Sequence, residues 1–442
     1  MKISKFLRNV MCILAFVMVL SGTMVCSAAD KSKGINVEYH TEHEIRSYLG
    51  KKKINIDKKS SFAKKPSASK PYKAGKLSDT TLKSALKTVN AVRYIAGIDD
   101  NLQLNDEYNK LAQAAALLNA ANGQLSHYPS KPSGISSSLY ELGYQGASRS
   151  NLAWTSWETG MGYSIIHLWM NDGDASNIDR VGHRRWVLNP PMKEIGFGQV
   201  NEGGTYTAMY AFDNTFGETS YYGVAWPAQN MPIEFFKDTY PWSISMGDIV
   251  DASKVKVTLV RKRDNKKWVF SKNSKKGYFN VENSYYGQRG CIIFRPDDIT
   301  YKAGDKFTVK ITGLDQTVSY EVKFFSLNES CKHSYGKTSV KKKATESANG
   351  KRTAVCKKCG KKKNTTIYKI STVSLSKKKV VYNGKEQKPS VIVKDSKGNT
   401  ISSKYYTVTY ENTKEVGIGS VTVTFKGRYS GTKKLQLKIY PK

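Results

Sequence analysis

Apolar residues change their spacing several times along this chain, and each change marks a different kind of element. Leu82, Leu86, Val89 and Val92 recur at helical intervals, with Asp79 suited to cap the start and Gly97 the end. A second helix is predicted from Asp106 to Asn122, with Leu111, Ala115, Leu118 and Ala121 on its apolar face and Gly123 just beyond. A third, over about residues 159–171, carries Ile165, Ile166, Leu168 and Trp169. The pattern then shortens to strand-like runs at Ile195-Gly-Phe-Gly-Gln-Val and Thr205-Tyr-Thr-Ala-Met-Tyr-Ala-Phe. Helices followed by strands predict an α+β domain over residues 79–225.

Beyond it the alternation is that of β-structure throughout. Lys254-Val-Lys-Val-Thr-Leu-Val, Cys291-Ile-Ile-Phe and Phe307-Thr-Val-Lys-Ile predict a β-sandwich over residues 226–328. Val391-Ile-Val, Tyr406-Thr-Val-Thr-Tyr and Val421-Thr-Val-Thr-Phe, with turns at Gly384, Gly398 and Gly427, predict a second over residues 370–442. The Lys-rich stretch 331–366 between them is poor in apolar residues. Residues 30–78, rich in Lys and Ser, read as a basic flexible linker. The 442 residues thus read as a multidomain chain, an α+β domain followed by all-β modules.

At the start, Lys2, Lys5 and Arg8 precede an apolar run from Val10 to Leu20, and Cys26-Ser-Ala-Ala29 follows. That order predicts a secretory signal over residues 1–29, cleaved near Ala29 and too short to span a bilayer. A mature chain without a transmembrane segment, secreted or held at a cell wall, is therefore expected. The net charge of +35 is unevenly placed. Residues 331–442 carry 28 basic and 5 acidic side chains, whereas residues 81–225 carry 10 and 13. A field of that kind attracts polyanions, and after export those are wall polymers or host glycans. Nucleic acid is the lesser expectation, because the tyrosines among the basic residues (Tyr382, Tyr405, Tyr406, Tyr429) fall at strand spacing.

Candidate chemistry concentrates in two places. His127 and His183 both stand in loops beside element ends, with Glu158, Asp172, Asp174 and Asp179 as candidate carboxylate partners. Two neutral imidazoles and one carboxylate can hold zinc or copper, and equally can be hydrogen-bonded structural groups. Along the same stretch the order of motifs is Leu125-Ser-His127, Ser150-Asn-Leu-Ala-Trp154, Trp169-Met-Asn-Asp172, Gly182-His-Arg-Arg185, Asn189-Pro190 and Ile195-Gly-Phe-Gly198. In that order and spacing the chain resembles the CAP family (SCP/PR-1-like, cysteine-rich secretory proteins).

The resemblance implies an α-β-α sandwich with a central cleft lined by two histidines and two carboxylates. His127 and His183 match the histidines, Asp172 stands at one carboxylate position, and Ser150 replaces the other. A hydroxyl is a weak metal ligand and no general base at neutral pH, so a cleft metal is disfavoured. No residue is therefore assigned a catalytic role. The leading expectation is a binding or adhesion protein whose cleft takes a small ligand, a lipid, sterol or peptide. The alternative is a metal-dependent hydrolase built on His127, Asp172 and His183. His167 reads as a packed or surface side chain, and the aromatics of Ala225-Trp-Pro, Tyr240-Pro-Trp and Tyr285-Tyr as core.

The second place is Cys331-Lys-His333 with Cys356-Lys-Lys-Cys359-Gly, three thiols and one imidazole in two close pairs. This predicts a closed, structural zinc site, with a Cys356–Cys359 disulfide or free thiols as the alternatives. The segment is similar to the zinc-ribbon-like pieces of bacterial surface proteins. Residues 370–442 resemble bacterial Ig-like repeats through Tyr382-Asn-Gly-Lys, Lys388-Pro-Ser-Val and Gly427-Arg-Tyr-Ser-Gly-Thr.

Overall fold

A computed structural model of the chain describes residues 34–213 and 221–442. The predicted signal segment lies outside the described residues. The chain is multidomain: helices dominate its N-terminal part and strands the remainder. It divides into two compact units, one formed by residues 34–39 and 54–325, the other by residues 40–53 and 326–442.

In the first unit the three predicted helices are joined by two more, Ser137–Ala147 and the short Gly182–Val187, which carries His183 where a loop was expected. The helix Asp79–Ala96 is capped by Ser78, whose Oγ accepts from Thr81 N, so the capping residue is one earlier than Asp79. It ends at Gly97 in the left-handed conformation. The helix Asp106–Asn122 is buried on all sides from Leu111 to Asn119, not along one stripe. One neighbour is the helix Ser137–Ala147, which the apolar spacing did not mark. Another is the strand Glu194–Val200, in a sheet ordered Gln103–Leu104, Glu194–Val200, Thr205–Tyr210, Ser150–Thr155.

The Ile195-Gly-Phe-Gly motif makes this packing possible. A Cβ on Gly196 would stand 2.2 Å from the Tyr108 carbonyl carbon, and one on Gly198 2.3 Å from that of Ala112. Glycine is required because helix backbone lies directly on strand backbone. The third predicted helix is short and underwound after its first residues: α-helical over Met161–Tyr163, then π-helical over Ser164–Trp169. Such bulges are frequent at functional sites, and this one leads straight to Asp172.

The same unit contains the β-structure of residues 224–325. Five strands are ordered Lys267–Phe270, Lys256–Arg261, Lys306–Thr312, Val318–Phe325, Asn230–Pro232. Four more are ordered Tyr278–Glu282, Cys291–Arg295, Trp242–Ser245, Val224–Trp226. Trp226, Tyr240 and Trp242 are core, and Tyr285 is exposed. The expected division at residue 225 is replaced by continuity, because buried arginines of the helical region are solvated by carbonyls of the β-region. Arg184 donates to Pro241 O at 2.7 Å and Ser243 Oγ at 2.9 Å, and Arg185 donates to the carbonyls of Ser284 and Gln288.

Of the linker expected over residues 30–78, the described part, residues 34–78, contains a helix and a strand pair. Thr41 and Glu44 form a reciprocal capping box that starts the helix Glu42–Lys52, which buries Ile45 and Leu49. Phe62–Lys64 pairs with Lys76–Leu77, and Gln113 reaches Ala74 O at 2.8 Å. High Lys content concealed both elements, because their charged residues lie outside and their few apolar ones suffice locally.

In the second unit, Ser339–Lys342, Gly350–Val355 and Lys362–Ile367 form one sheet. Ile370–Leu375 pairs with Val391–Asp395, and a four-stranded sheet is ordered Lys379–Val381, Thr432–Tyr440, Gly417–Phe425, Tyr406–Glu411. Alternation places Leu437 and Ile439 inside and Lys434 and Lys438 outside. Ala344 and Ile367 pack with Ile370, Val393 and Val423, so residues 331–366 share a core with those that follow.

Candidate functional site

A cavity of about 300 Å³ opens in the first unit, and His127, Asp172 and His183 all line it. Trp154, Asn171 and Asn177 are among the other wall residues. Each histidine is fixed through Nδ1. His127 follows the helix Asp106–Asn122 in a loop tied back by Asn119, whose Oδ1 accepts from Ser126 N. Its Nδ1 lies 2.9 Å from Ala147 O, at the end of the helix Ser137–Ala147, and donates to it. His183 Nδ1 lies 2.7 Å from Asp172 Oδ1. The other oxygen of Asp172 accepts from Arg184 N at 2.9 Å. Both rings therefore keep Nε2 for contacts beyond their anchors.

Their environments push the two rings apart in basicity. Burial lowers the pKa of His127, with a smaller contribution from His183, against the opposing bond to Ala147. Burial acts in the same direction on His183, but the charge of Asp172 and the bond to it outweigh it, and the pKa is raised. The site thus pairs a neutral imidazole with one that holds its proton more readily.

The backbone around this pair is strained and braced. Asp172 sits at φ 48° and Val181, a β-branched residue, at φ 42°. Left-handed conformations of such residues cost about 1–3 kcal/mol and persist only when neighbours over-determine them. Here Val181 packs on Cys291 and Ile293. Asn151 donates to His183 O at 2.9 Å, and the fully buried Arg184 donates to Met170 O at 2.9 Å and Asn171 O at 2.6 Å. Burial lowers the pKa of Arg184 to about 10, with Asp172 opposing.

Ser150 does not line the cavity. It begins the strand Ser150–Thr155 opposite Tyr210, and its buried Oγ has no hydrogen-bond partner among the described residues. Glu158 and Asp179 are also absent from the wall, whereas Asp174 is in it, engaged by Ser176 and Asn177. His167 is packed, with Nδ1 3.0 Å from Tyr240 Oη, and burial lowers its pKa to about 4. Two residues with roles here were quoted from the sequence only as parts of motifs, with no role given: Asn151, which holds the His183 backbone, and Trp169. Trp169 is 1 % exposed, lines the cavity, and its indole N–H has no partner among the described residues.

The family model for the cysteine-rich secretory protein family, CAP, matches residues 86–213. Over these residues the chain is similar to the CAP family. The CAP match takes in every residue of the cavity wall named above. A search of curated proteins finds no match. Among solved structures, the surface layer protein SbsC is 14% identical over 46% of this chain and 39% of that one, with a TM-score of 0.13. The chain thus spans about two fifths of the length of that solved chain, which comprises domains 1-6 of the protein. The N-terminal Ig module of the Drosophila receptor protein tyrosine phosphatase DLAR is 11% identical, over 46% of this chain and 90% of that one, with a TM-score of 0.12. Neither score bears on the fold.

In the second unit, Cys331, His333, Cys356 and Cys359 converge, with one ligand atom from each lying within 4.8 Å of all the others. All three cysteines are free thiols. Lys358 N donates to Cys356 Sγ at 3.4 Å, and Gly360, at φ 79°, turns the chain beneath so that its N–H reaches Cys356 O at 3.0 Å. Burial opposes ionisation of Cys356, but N–H groups of residues 359 and 358 and the His333 ring lower its pKa to about 6. Burial and the adjacent Cys359 and Cys356 sulfurs push Cys331 up to about 12. Three sulfurs this close ionise together only beside a cation. With Zn–S near 2.3 Å and Zn–N near 2.0–2.1 Å, a tetrahedral edge between sulfur and nitrogen is about 3.5 Å. The Cys359 Sγ to His333 Nδ1 distance is 3.4 Å, so the four side chains fit zinc.

Proposed function

We propose that this is an exported surface-binding protein whose CAP cleft takes a short peptide and whose C-terminal unit attaches to polyanions. The observation that carries the reading is the wall of the cavity, where His127, Asp172, His183, Asn171 and Asn177 stand together. Pockets for lipids and sterols are lined mainly by apolar side chains, with few polar groups. A wall of imidazole, carboxylate and amide groups favours a ligand rich in its own donors and acceptors, as a peptide is. The Nε2 atoms of the two histidines supply one more donor or acceptor each.

CAP domains are commonly secreted, and the proposed signal segment agrees with export. Among the described residues no helix is long and apolar enough to cross a membrane. Attachment rests on the 28 basic side chains of residues 331–442, most of them exposed. The finer architecture we propose is an α-β-α sandwich for the CAP domain, β-sandwiches for residues 224–325 and 370–440, the last of Ig-like type, and structural zinc at the Cys/His group.

The test is to purify the full chain from its secreting host and identify what leaves with it on denaturation, by mass spectrometry. A peptide present in the wild type and lost in His183→Ala is expected; recovery of lipid alone would overturn the peptide reading. A second reading, a metal-dependent hydrolase, draws on the free Nε2 of both histidines. It requires a metal that stays bound after Cys356 and Cys359 are replaced. Among the described residues the cleft does not gather three close ligands as the Cys/His group does.

A further inference from the structure

Residues 40–53 belong to the same compact unit as residues 326–442, although nearly three hundred residues separate them in sequence. The helix they contain, Glu42–Lys52, has 11 residues. Isolated helices shorter than about 12–15 residues are marginal in water, so docking must hold this one. Ile45 and Leu49 are buried, and Arg46 donates to the carbonyls of Ser326 and Leu327. A further anchor is the Cys/His knuckle. His43 N–H donates to Cys359 O at 2.8 Å, and a Cβ on Gly360 would stand 2.6 Å from Thr41 Cβ. The residue that caps the helix thus rests on the turn that carries two metal-ligating sulfurs.

Backbone hydrogen bonds such as Cys356 N to Lys361 O and Lys357 N to Ser334 O shape that turn, but little apolar surface is buried in the strands beside it. The strand Ser339–Lys342 is exposed throughout, and Lys362–Ile367 is exposed except at Ile367. A segment so poor in core takes its folding energy from the metal when its ligands are preset for one.

We infer that zinc held by Cys331, His333, Cys356 and Cys359 docks the helix Glu42–Lys52 onto the C-terminal unit, so that metal occupancy controls whether the two ends of the chain are joined. The inference rests on the zinc reading of the cluster and adds a consequence to it. Coupling of this kind is reciprocal: if zinc favours the docked helix by some factor, the docked helix favours zinc by the same factor.

The experiment uses the full chain, with hydrogen exchange followed by mass spectrometry and zinc measured by elemental analysis. One zinc per chain is expected. On stripping with a chelator, amides of residues 43–52 are expected to exchange about tenfold faster, while those of Val318–Phe325 and Thr432–Tyr440 keep their rates. Ile45→Asp, which undocks the helix without touching a ligand, is expected to weaken zinc binding about tenfold in competition with a chelating dye. Bound zinc with unchanged exchange over residues 43–52, or unchanged zinc affinity in Ile45→Asp, overturns the coupling and leaves the zinc site standing. Absence of bound zinc overturns both.

Discussion

His167, His127 and His183 share one residue type and differ in what surrounds each ring. Burial drives His167 to a pKa of about 4 and lowers His127, while Asp172 raises His183. The consequences for stability have opposite signs. A histidine depressed in the folded state stabilises it fully above the unfolded value, about 6.5, and loses that stabilisation as pH falls toward the folded value. For His167 the window is therefore from pH 6.5 down to about 4. His167→Gln keeps a bond to Tyr240 and removes the titration, so its urea midpoint should fall less than the wild type's between pH 7 and pH 4.5. His183, being raised, contributes stability that is complete below the unfolded value and lost as pH rises through its folded one. In Asp172→Asn that contribution disappears. The His183 titration, followed by NMR, should move from above 6.5 in the wild type to a lower midpoint, because a neutral amide no longer favours the imidazolium.

Elements here are placed by backbone approach as much as by side-chain burial. The strand Glu194–Val200 meets the helix Asp106–Asn122 through Gly196 and Gly198, where no Cβ fits. Gly198→Ala should lower the unfolding free energy by about 3 kcal/mol, measured by denaturant titration, because the intruding methyl meets main chain that cannot swing aside. The element-scale errors of sequence reading have similar causes. Thr41-Glu-His-Glu44 carried a capping-box signature, yet the surrounding lysines gave residues 30–78 the composition of a linker. The helix Ser137–Ala147 buries mainly Gly143, Gly146 and Ala147, residues too small to print an apolar period. The cavity histidines were legible as a motif, but Ser150 was placed beside them by resemblance and sits in the sheet instead.

At the scale of the molecule, charge and connectivity separate. Residues 331–442 hold a net +23, and the CAP region is slightly acidic. Binding of the full chain to an immobilised anionic polymer should therefore weaken steeply between about 0.05 and 0.5 M salt, as the Debye length shrinks below the spacing of surface charges. Binding that ignores salt would remove the electrostatic attachment. Connectivity gives a second expectation. Arg184 links the cavity wall to carbonyls at Met170, Asn171 and Pro241. Arg184→Ala leaves buried acceptors unpaired, at about 1–3 kcal/mol each before relaxation, and should loosen the CAP-like region and the β-region together in a single lowered thermal transition.

The sequence by itself determined the alternation of elements, the helix ends at Gly97 and Gly123, the four metal-type ligands and the uneven charge, because each is written in local spacing or in composition. Tertiary structure alone decided which distant groups meet. It joined residues 79–225 to the β-structure after them through buried arginines, and carried residues 40–53 to the far end of the chain. It also set one histidine against a carbonyl and the other against a carboxylate. Those outcomes depend on desolvation and on hydrogen bonds between segments far apart in sequence, and neither has a period that a sequence can display.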